Sequence, residues 1–158
     1  MQPLDYTLIV GLQTALRAMS VAGGYHFDVQ ASAVKLDPNC DVESLIAPGG
    51  LRPFVIIEVK PDTWEYKPAK RIDVVLPITI HWVSDAVPTD DESRLKTFFE
   101  GLADVERAIA KPITDGAGGE VLPRITKRSY STAIDGAQVW AIVDTELRSH
   151  RVYGQPDA

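Results

Sequence analysis

The chain has 158 residues, of which 45% are hydrophobic and 24% are charged, and these values are typical of a folded globular domain rather than a disordered chain. Its formal net charge is −6, which disfavours a dedicated nucleic-acid-binding protein, because such proteins normally carry a basic surface. The single cysteine, Cys40, excludes a disulfide scaffold and a zinc site built from several cysteines.

The first part of the chain predicts one helix and then strands. Apolar residues recur at helical spacing over residues 4–22, and the glycine pair at 23–24 can adopt the left-handed geometry that ends a helix. Residues 25–29 predict a short strand from their aromatic and β-branched content. A loop rich in proline and glycine covers 37–53, and residues 54–59 predict a further strand.

The longest predicted strand covers residues 71–83. Alternate positions give it one apolar face, made of Ile72, Val74, Leu76, Ile78, Ile80 and Trp82. Pro77 lies on the opposite, polar face and predicts an edge position or a bulge, because proline cannot donate to a strand ladder.

Residues 58–71 predict a projecting hairpin or loop that carries Trp64 and Tyr66 between two prolines. The two aromatic residues alternate, so both can point to one side. Two interpretations are equally compatible with the pattern: a local apolar cover over the same subunit, or anchors for a partner protein.

The second part of the chain predicts a helix and a hairpin. Asp90, Asp91 and Glu92 open the helix, where carboxylates are favoured by the helix dipole, and its apolar stripe comprises Leu95, Phe98, Phe99, Leu102, Val105 and Ile109. The sequence also predicts strands over residues 121–134 and 137–148, joined by Asp135-Gly136, which is typical of a hairpin turn. We expect residues 149–158 to form a polar tail.

These elements predict a single α+β domain over residues 1–158, in the order α-β-β-β-α-β-β. We expect an antiparallel sheet of about four to five strands, with mixed pairing as an option, and two main helices packed on it. The sequence has neither a secretory signal nor an apolar run of about 20 residues, so we expect a soluble protein with no membrane contact.

One pattern imitates a catalytic site. Glu58 and Lys60 end a strand, and the acids Asp37, Asp41 and Glu43 lie upstream, which is the arrangement by which some nucleases hold magnesium. Alternating polar residues at a strand end are far more often the outward face of a sheet. A magnesium-dependent nuclease is therefore kept only as the alternative of a different class.

Charge is unevenly distributed along the chain. Acidic residues dominate from residue 85 to residue 106, whereas Arg124, Lys127 and Arg128 form a basic cluster on a later strand. A charged helix face is usually only solvated. Acidic and basic patches on one chain also suit head-to-tail contacts between copies, which close into a ring when the rotation permits.

The order of segments along almost the whole chain resembles that of the tail terminator, or tail completion, proteins of long-tailed bacteriophages and prophages. The segments that carry the resemblance lie at 5–16, 24–25, 52–58, 78–83, 95–109 and 139–148, followed by a short tail with Tyr153 and Pro156. The family has no invariant catalytic motif, and neck proteins that connect head and tail have similar sizes.

The resemblance implies a structural virion protein, assembled in the host cytoplasm, that is not an enzyme and needs no cofactor or metal. Members form a hexameric ring on the last ring of the tail tube, stop its growth and present a surface that joins the filled head. The implied partners are further copies of the chain, the tail tube protein and head–tail connector proteins, and DNA passes through the ring without specific binding.

The implied ring gives the acidic charge a hypothetical role. Six copies of a chain with net charge −6 carry −36 around a channel, and acidic walls repel phosphates within about 8–10 Å. The candidates for channel-facing acids are Asp90, Asp91, Glu92, Asp144 and Glu146. The candidate interface residues are Trp64, Tyr66, Arg124, Lys127 and Arg128. A small dimeric binding module and another head–tail connector protein remain alternatives.

Overall fold

The computed structural model describes residues 4–37, 52–85, 90–115, 119–132 and 138–152. It has two helices, α1 (Leu4–Arg17) and α2 (Asp91–Ile109). The strands in chain order are β1 (Val34–Leu36), β2 (Phe54–Val59), β3 (Thr63–Lys67), β4 (Arg71–Asp85), β5 (Ile113–Thr114), β6 (Glu120–Val121), β7 (Arg124–Thr132) and β8 (Gln138–Val152).

The main sheet has six strands and is mixed. Its order is β1-β2-β4-β8-β7, and β3 pairs with β4 beyond the end of β2. Among the strand pairs within the described ranges, only β1–β2 is parallel, and β5 and β6 form a separate two-stranded sheet. The predicted α+β class is confirmed, and the main sheet has one strand more than the upper end of the expectation.

Strands β4 and β8 form the centre of the sheet because they pair along their entire lengths, from Arg71 opposite Val152 to Asp85 opposite Gln138. The even residues of β4 point to the helices, as the alternation predicted, and Ile78, Ile80 and Trp82 are buried there. The leucines of α1 and the inner face of α2 complete the same core. Both helices therefore cover one face of the sheet.

Pro77 lies in the central strand β4, so of the two predicted options the edge position is wrong, whereas the ladder beside it does shift by one residue, as at a bulge. Its carbonyl accepts a hydrogen bond from the backbone N–H of Lys60 at 3.0 Å, between the ends of β2 and β3. In a strand, the N–H and C=O of one residue point toward the same neighbouring strand. The N–H that Pro77 lacks would therefore have pointed toward the gap between β2 and β3, where no strand acceptor pairs with it. The ladder is already interrupted there, which is why proline is tolerated.

The strand predicted over residues 25–29 is also wrong, because a buried side chain takes the backbone donors that a strand would need. The carboxylate of Asp104 on α2 accepts hydrogen bonds from the backbone N–H groups of His26, at 2.9 Å, and Phe27, at 3.0 Å, and lies 2.8 Å from His26 Nδ1. The first parallel strand instead begins at Val34.

Two further boundaries differ from the predictions, and a third cannot be compared. Helix α1 ends at Arg17, five residues earlier than predicted, and a 3-10 turn capped by Ser20 follows; Gly24 then adopts the left-handed geometry at φ 86°. Strand β8 continues through residues 149–152, which were assigned to the tail, because they pair with the start of β4. The predicted turn at Asp135-Gly136 lies outside the described residues.

The apolar stripe of α2 is only partly buried. Phe98, Leu102, Val105 and Ile109 lie in the core, whereas Leu95 and Phe99 are 48% and 55% exposed. The sequence stripe is therefore wider than the surface that the sheet covers.

We expect Asp104→Ala to lower the free energy of unfolding by about 2 kcal/mol, because it removes the buried carboxylate that accepts from two part-buried backbone donors. Urea unfolding of the purified protein measures the change. The control is Glu120→Ala at an exposed strand position, for which we expect a change within about 0.5 kcal/mol. An equally small effect of Asp104→Ala would contradict the anchoring role.

We also expect Gly101→Ala in α2 to destabilise the protein by about 1–3 kcal/mol, because the added methyl group would overlap the ring of Trp82. Intrinsic helix propensity predicts the opposite sign, since alanine is favoured over glycine by about 1 kcal/mol inside a helix. The sign of the change in melting temperature therefore shows which effect dominates: a decrease indicates the clash with Trp82, and an increase indicates helix propensity.

Candidate functional site

The most prominent feature outside the core is a long bent hairpin. Strands β2 and β3 run in the same direction along the same edge of β4, and their register changes by one residue between Val59–Ile78 and Thr63–Val75. One extra residue in such a position bends a strand, as in a β-bulge. Residues 54–67 thus act as one long strand opposite β4, and the turn at 68–70 forms the tip.

The turn at the tip has an uncommon backbone. Ala69 and Lys70 have φ values of 64° and 60°, a region that residues with a Cβ atom rarely occupy. The predicted projecting segment at 58–71 thus comprises the end of β2, the bend, all of β3 and this turn.

Trp64 and Tyr66 lie on β3, on the side of the sheet that carries the helices. Trp64 is 46% exposed and packs against the Arg151 guanidinium, whose carbon lies 5.0 Å from the ring centroid. Arg151 in turn forms a 2.7 Å ion pair with Asp5 at the start of α1. Tyr66 is 67% exposed. Trp64 therefore combines local packing with exposed surface, and Tyr66 presents most of its ring to solvent.

The opposite face near the tip carries a charged cluster. Arg71 Nε donates to Asp73 Oδ1 at 2.7 Å, and His150 Nδ1 lies 2.7 Å from the same oxygen across the β4–β8 pair. The Arg71 guanidinium holds the pKa of Asp73 below its ordinary value; partial desolvation opposes this shift, and His150 adds to it.

The predicted basic cluster is divided between the two faces of the sheet. An irregularity between Ile125 and Lys127 places Arg124 and Lys127 on the face without helices, where they lie opposite Glu146 and Asp144 of β8. Arg128 points to the helix side and forms a 2.6 Å ion pair with Glu106 of α2. Only Arg124 and Lys127 therefore share a surface.

The five acids proposed for the channel form two separate sets. Asp144 accepts a 2.7 Å hydrogen bond from Thr79 Oγ1, and Glu146 pairs with Arg148 at 2.9 Å, both on the sheet face without helices. The other set, Asp90, Asp91 and Glu92, lies at the start of α2, where the Asp90 carboxylate caps the helix by accepting from Ser93 N–H at 3.1 Å.

The residues of the nuclease alternative have a structural explanation. Glu58 Oε2 lies 2.9 Å from His81 Nε2, and Trp140 Nε1 donates to His81 Nδ1 at 3.0 Å. Because an indole nitrogen can only donate, Nδ1 must accept, and Nε2 carries the proton shared with Glu58. Sequence reasoning missed this network, although Glu58 and His81 both lie on the sheet face without helices, on adjacent strands.

No set of metal ligands accompanies Glu58 in the described part of the chain. A search of those residues finds no group of three or more histidine, cysteine or acidic side chains that could hold a metal ion. Lys60 is exposed, and the upstream acids Asp41 and Glu43 lie outside the described residues. Within the same residues, no helix has the length and apolarity needed to cross a bilayer.

We expect Arg71→Gln to raise the pKa of Asp73 toward its ordinary value of about 3.9, because the strongest stabiliser of the carboxylate is removed. The stabilisation by the pair is present above the unfolded-state pKa and is lost as the pH falls through the lowered folded-state value. Carboxyl NMR titration measures the shift. Lys67→Gln on the neighbouring strand is the control, and an unchanged Asp73 titration in Arg71→Gln would contradict the assignment.

No protein-family model and no curated protein sequence matches the chain. Among solved structures, it is similar to a chain from the structure described as the virion of a native gene transfer agent particle. The TM-score is 0.57 at 15% sequence identity, over 94% of this chain and 98% of that one. At this identity the similarity establishes a shared fold, and the fold extends over nearly the full length of both chains.

Proposed function

We propose that the chain is a structural protein of a phage-like virion and that it makes and breaks no covalent bond. The observation that carries this proposal is the fold similarity to a chain of a gene transfer agent virion, which covers almost all of both proteins. The order of segments along the sequence, which resembles that of tail terminator proteins, also supports the proposal.

More specifically, we propose that the chain is a tail terminator. In this role six copies form a ring on the last ring of the tail tube, stop tube growth and offer a surface to the head–tail connector. The partners are other copies of the chain, the tail tube protein and connector proteins, and the location is the tail or neck of the virion. Another neck protein of the same fold is the alternative.

The long hairpin supports a role in assembly. All five residues of β3 are exposed, although two of them are aromatic. Trp64 is held by Arg151 and Asp5 rather than left free to collapse on the core. A fixed aromatic side chain makes a good anchor, because little conformational entropy is lost when a partner covers it.

The sheet face without helices is the proposed candidate for the channel wall. The part proposed to face the channel is β8, which carries Asp144 and Glu146, whereas Arg124 and Lys127 lie beside it on the edge strand β7, which is left for contacts with a neighbouring copy. Acidic side chains repel phosphate, so DNA would slide past β8 without being held.

The direct test of the proposed function is removal of the gene from the particle-producing system. We expect tails of uncontrolled length that fail to join heads, as measured by electron microscopy. Head-attached tails of normal length in the absence of the protein would overturn the terminator role. Tails of normal length that remain separate from heads would favour the alternative connector role.

We expect replacement of both Trp64 and Tyr66 by alanine to reduce tail completion at least tenfold in a complementation assay while the monomer stays folded, because both side chains are already about half exposed or more. The control is the double variant Glu65→Ala/Lys67→Ala, which alters the same strand on its other face. Circular dichroism verifies folding. Normal tails with the aromatic double variant would contradict the proposed contact.

A further inference from the structure

Helix α2 presents apolar surface away from the core. Leu95 and Phe99 are one helical turn apart and therefore lie next to each other on the outward side. They are 48% and 55% exposed. The ring of Phe99 is held in place by Phe98, with the two centroids 5.0 Å apart. Two adjacent large apolar side chains bordered by polar residues are typical of an interaction surface.

The border of this surface is acidic on the side nearest the start of the helix. Asp91 and Glu92 lie one turn before Leu95, and both are exposed. The side chain of Asp91 is fully exposed, and its nearest cation, on Arg94, is 3.7 Å away. We call Asp91, Glu92, Leu95 and Phe99 the helix patch.

A second surface has the complementary composition. Leu122, just before β7, is 59% exposed. Arg124 and Lys127 follow it, and both are exposed on one face of β7 because of the irregularity between them. We call Leu122, Arg124 and Lys127 the strand patch. It pairs one exposed leucine with two bases, whereas the helix patch pairs two exposed apolar residues with two acids.

The two patches lie toward opposite ends of the sheet. Gly101 of α2 lies against Trp82, which pairs with Ala141, whereas Arg124 pairs with Glu146 further along β8. The patches also lie on opposite faces of the sheet, because α2 covers one face and Arg124 and Lys127 are on the other. The helix patch of one chain is therefore far from the strand patch of the same chain.

We propose that the helix patch of one copy binds the strand patch of a second copy, with Leu122 placed against Leu95 and Phe99 and the bases facing Asp91 and Glu92. Such a contact joins two different surfaces, so it repeats head to tail and closes into a ring when the rotation permits. A symmetric contact between two helix patches would instead place acids against acids, which is unfavourable. The biological use of this contact rests on the proposed ring function.

The decisive experiment uses two single variants, Phe99→Asp and Leu122→Asp, each of which disables one patch and leaves the other intact. Both residues are more than half exposed, so both variants should fold. In sedimentation analysis, wild type at about 1 mM should form higher oligomers, since a contact with a dissociation constant near 1 mM is then substantially occupied. Each variant alone should stay monomeric.

Mixing the two variants provides the most specific outcome. The intact strand patch of Phe99→Asp can bind the intact helix patch of Leu122→Asp, so the mixture should form a 1:1 dimer and nothing larger. Val152→Asp, at a 49% exposed apolar position outside both patches, is the matched control and should assemble like wild type. Charge exchange provides a second readout: Glu92→Lys and Arg124→Glu should each weaken assembly several-fold, and their combination in one chain should restore most of it.

Several outcomes would overturn the inference. A mixture that remains monomeric, or a single variant that still forms higher oligomers, would exclude the head-to-tail contact. Self-association of Leu122→Asp but not of Phe99→Asp would identify a symmetric helix contact instead. A wild-type chain that is monomeric at about 1 mM would exclude a contact between copies with a dissociation constant near 1 mM. None of these results decides the terminator role, which is tested separately by tail length after removal of the gene.

Discussion

The full-length pairing of β4 with β8 is the constraint on which the other parts of the structure depend. The two strands place every second side chain in one core, and Ile80, Trp82 and Val143 are completely buried there. A slip of one residue would exchange the two faces and turn these side chains away from the helices. The outer strands, the hairpin and both patches are attached to this pair, so its register determines where each of them lies.

Much of the fold follows from patterns that are local in the sequence. The alternation in β4, the helical spacing of the α1 leucines and the acidic start of α2 each depend on residues near one another in the chain, and the structure confirms them. The failures have distant causes. The carboxylate of Asp104 accepts from the backbone donors of His26 and Phe27, which are 78 and 77 residues away in the chain, and nothing in residues 25–29 reveals this contact. For Pro77 the sequence left an edge position and a bulge open, and it could not decide between them because the gap in the ladder is created by the ends of two other strands, β2 and β3.

The surfaces were harder to predict than the core. Arg124, Lys127 and Arg128 are close in sequence, but an irregularity in β7 sends Arg128 to the helix side. Leu95 and Phe99 fit the apolar spacing of α2, and only the position of the sheet shows that they are left uncovered. The sequence shows an acidic chain with separate charged segments, whereas the proposed pairing of those segments across copies depends on their three-dimensional positions.

The gap beside Pro77 affects how the hairpin responds to a load. Beyond this point the tip segment is connected to the rest of the sheet through β4 and β8, because β2 has already ended. A force applied to Trp64 or Tyr66 is therefore transmitted along β4 and β8 into the core. The bend at residues 60–62 lets the angle between β2 and β3 change. The tip is thus braced by two long paired strands and joined to β2 by a bend, and in the proposed ring this would let identical subunits contact neighbours of a different symmetry.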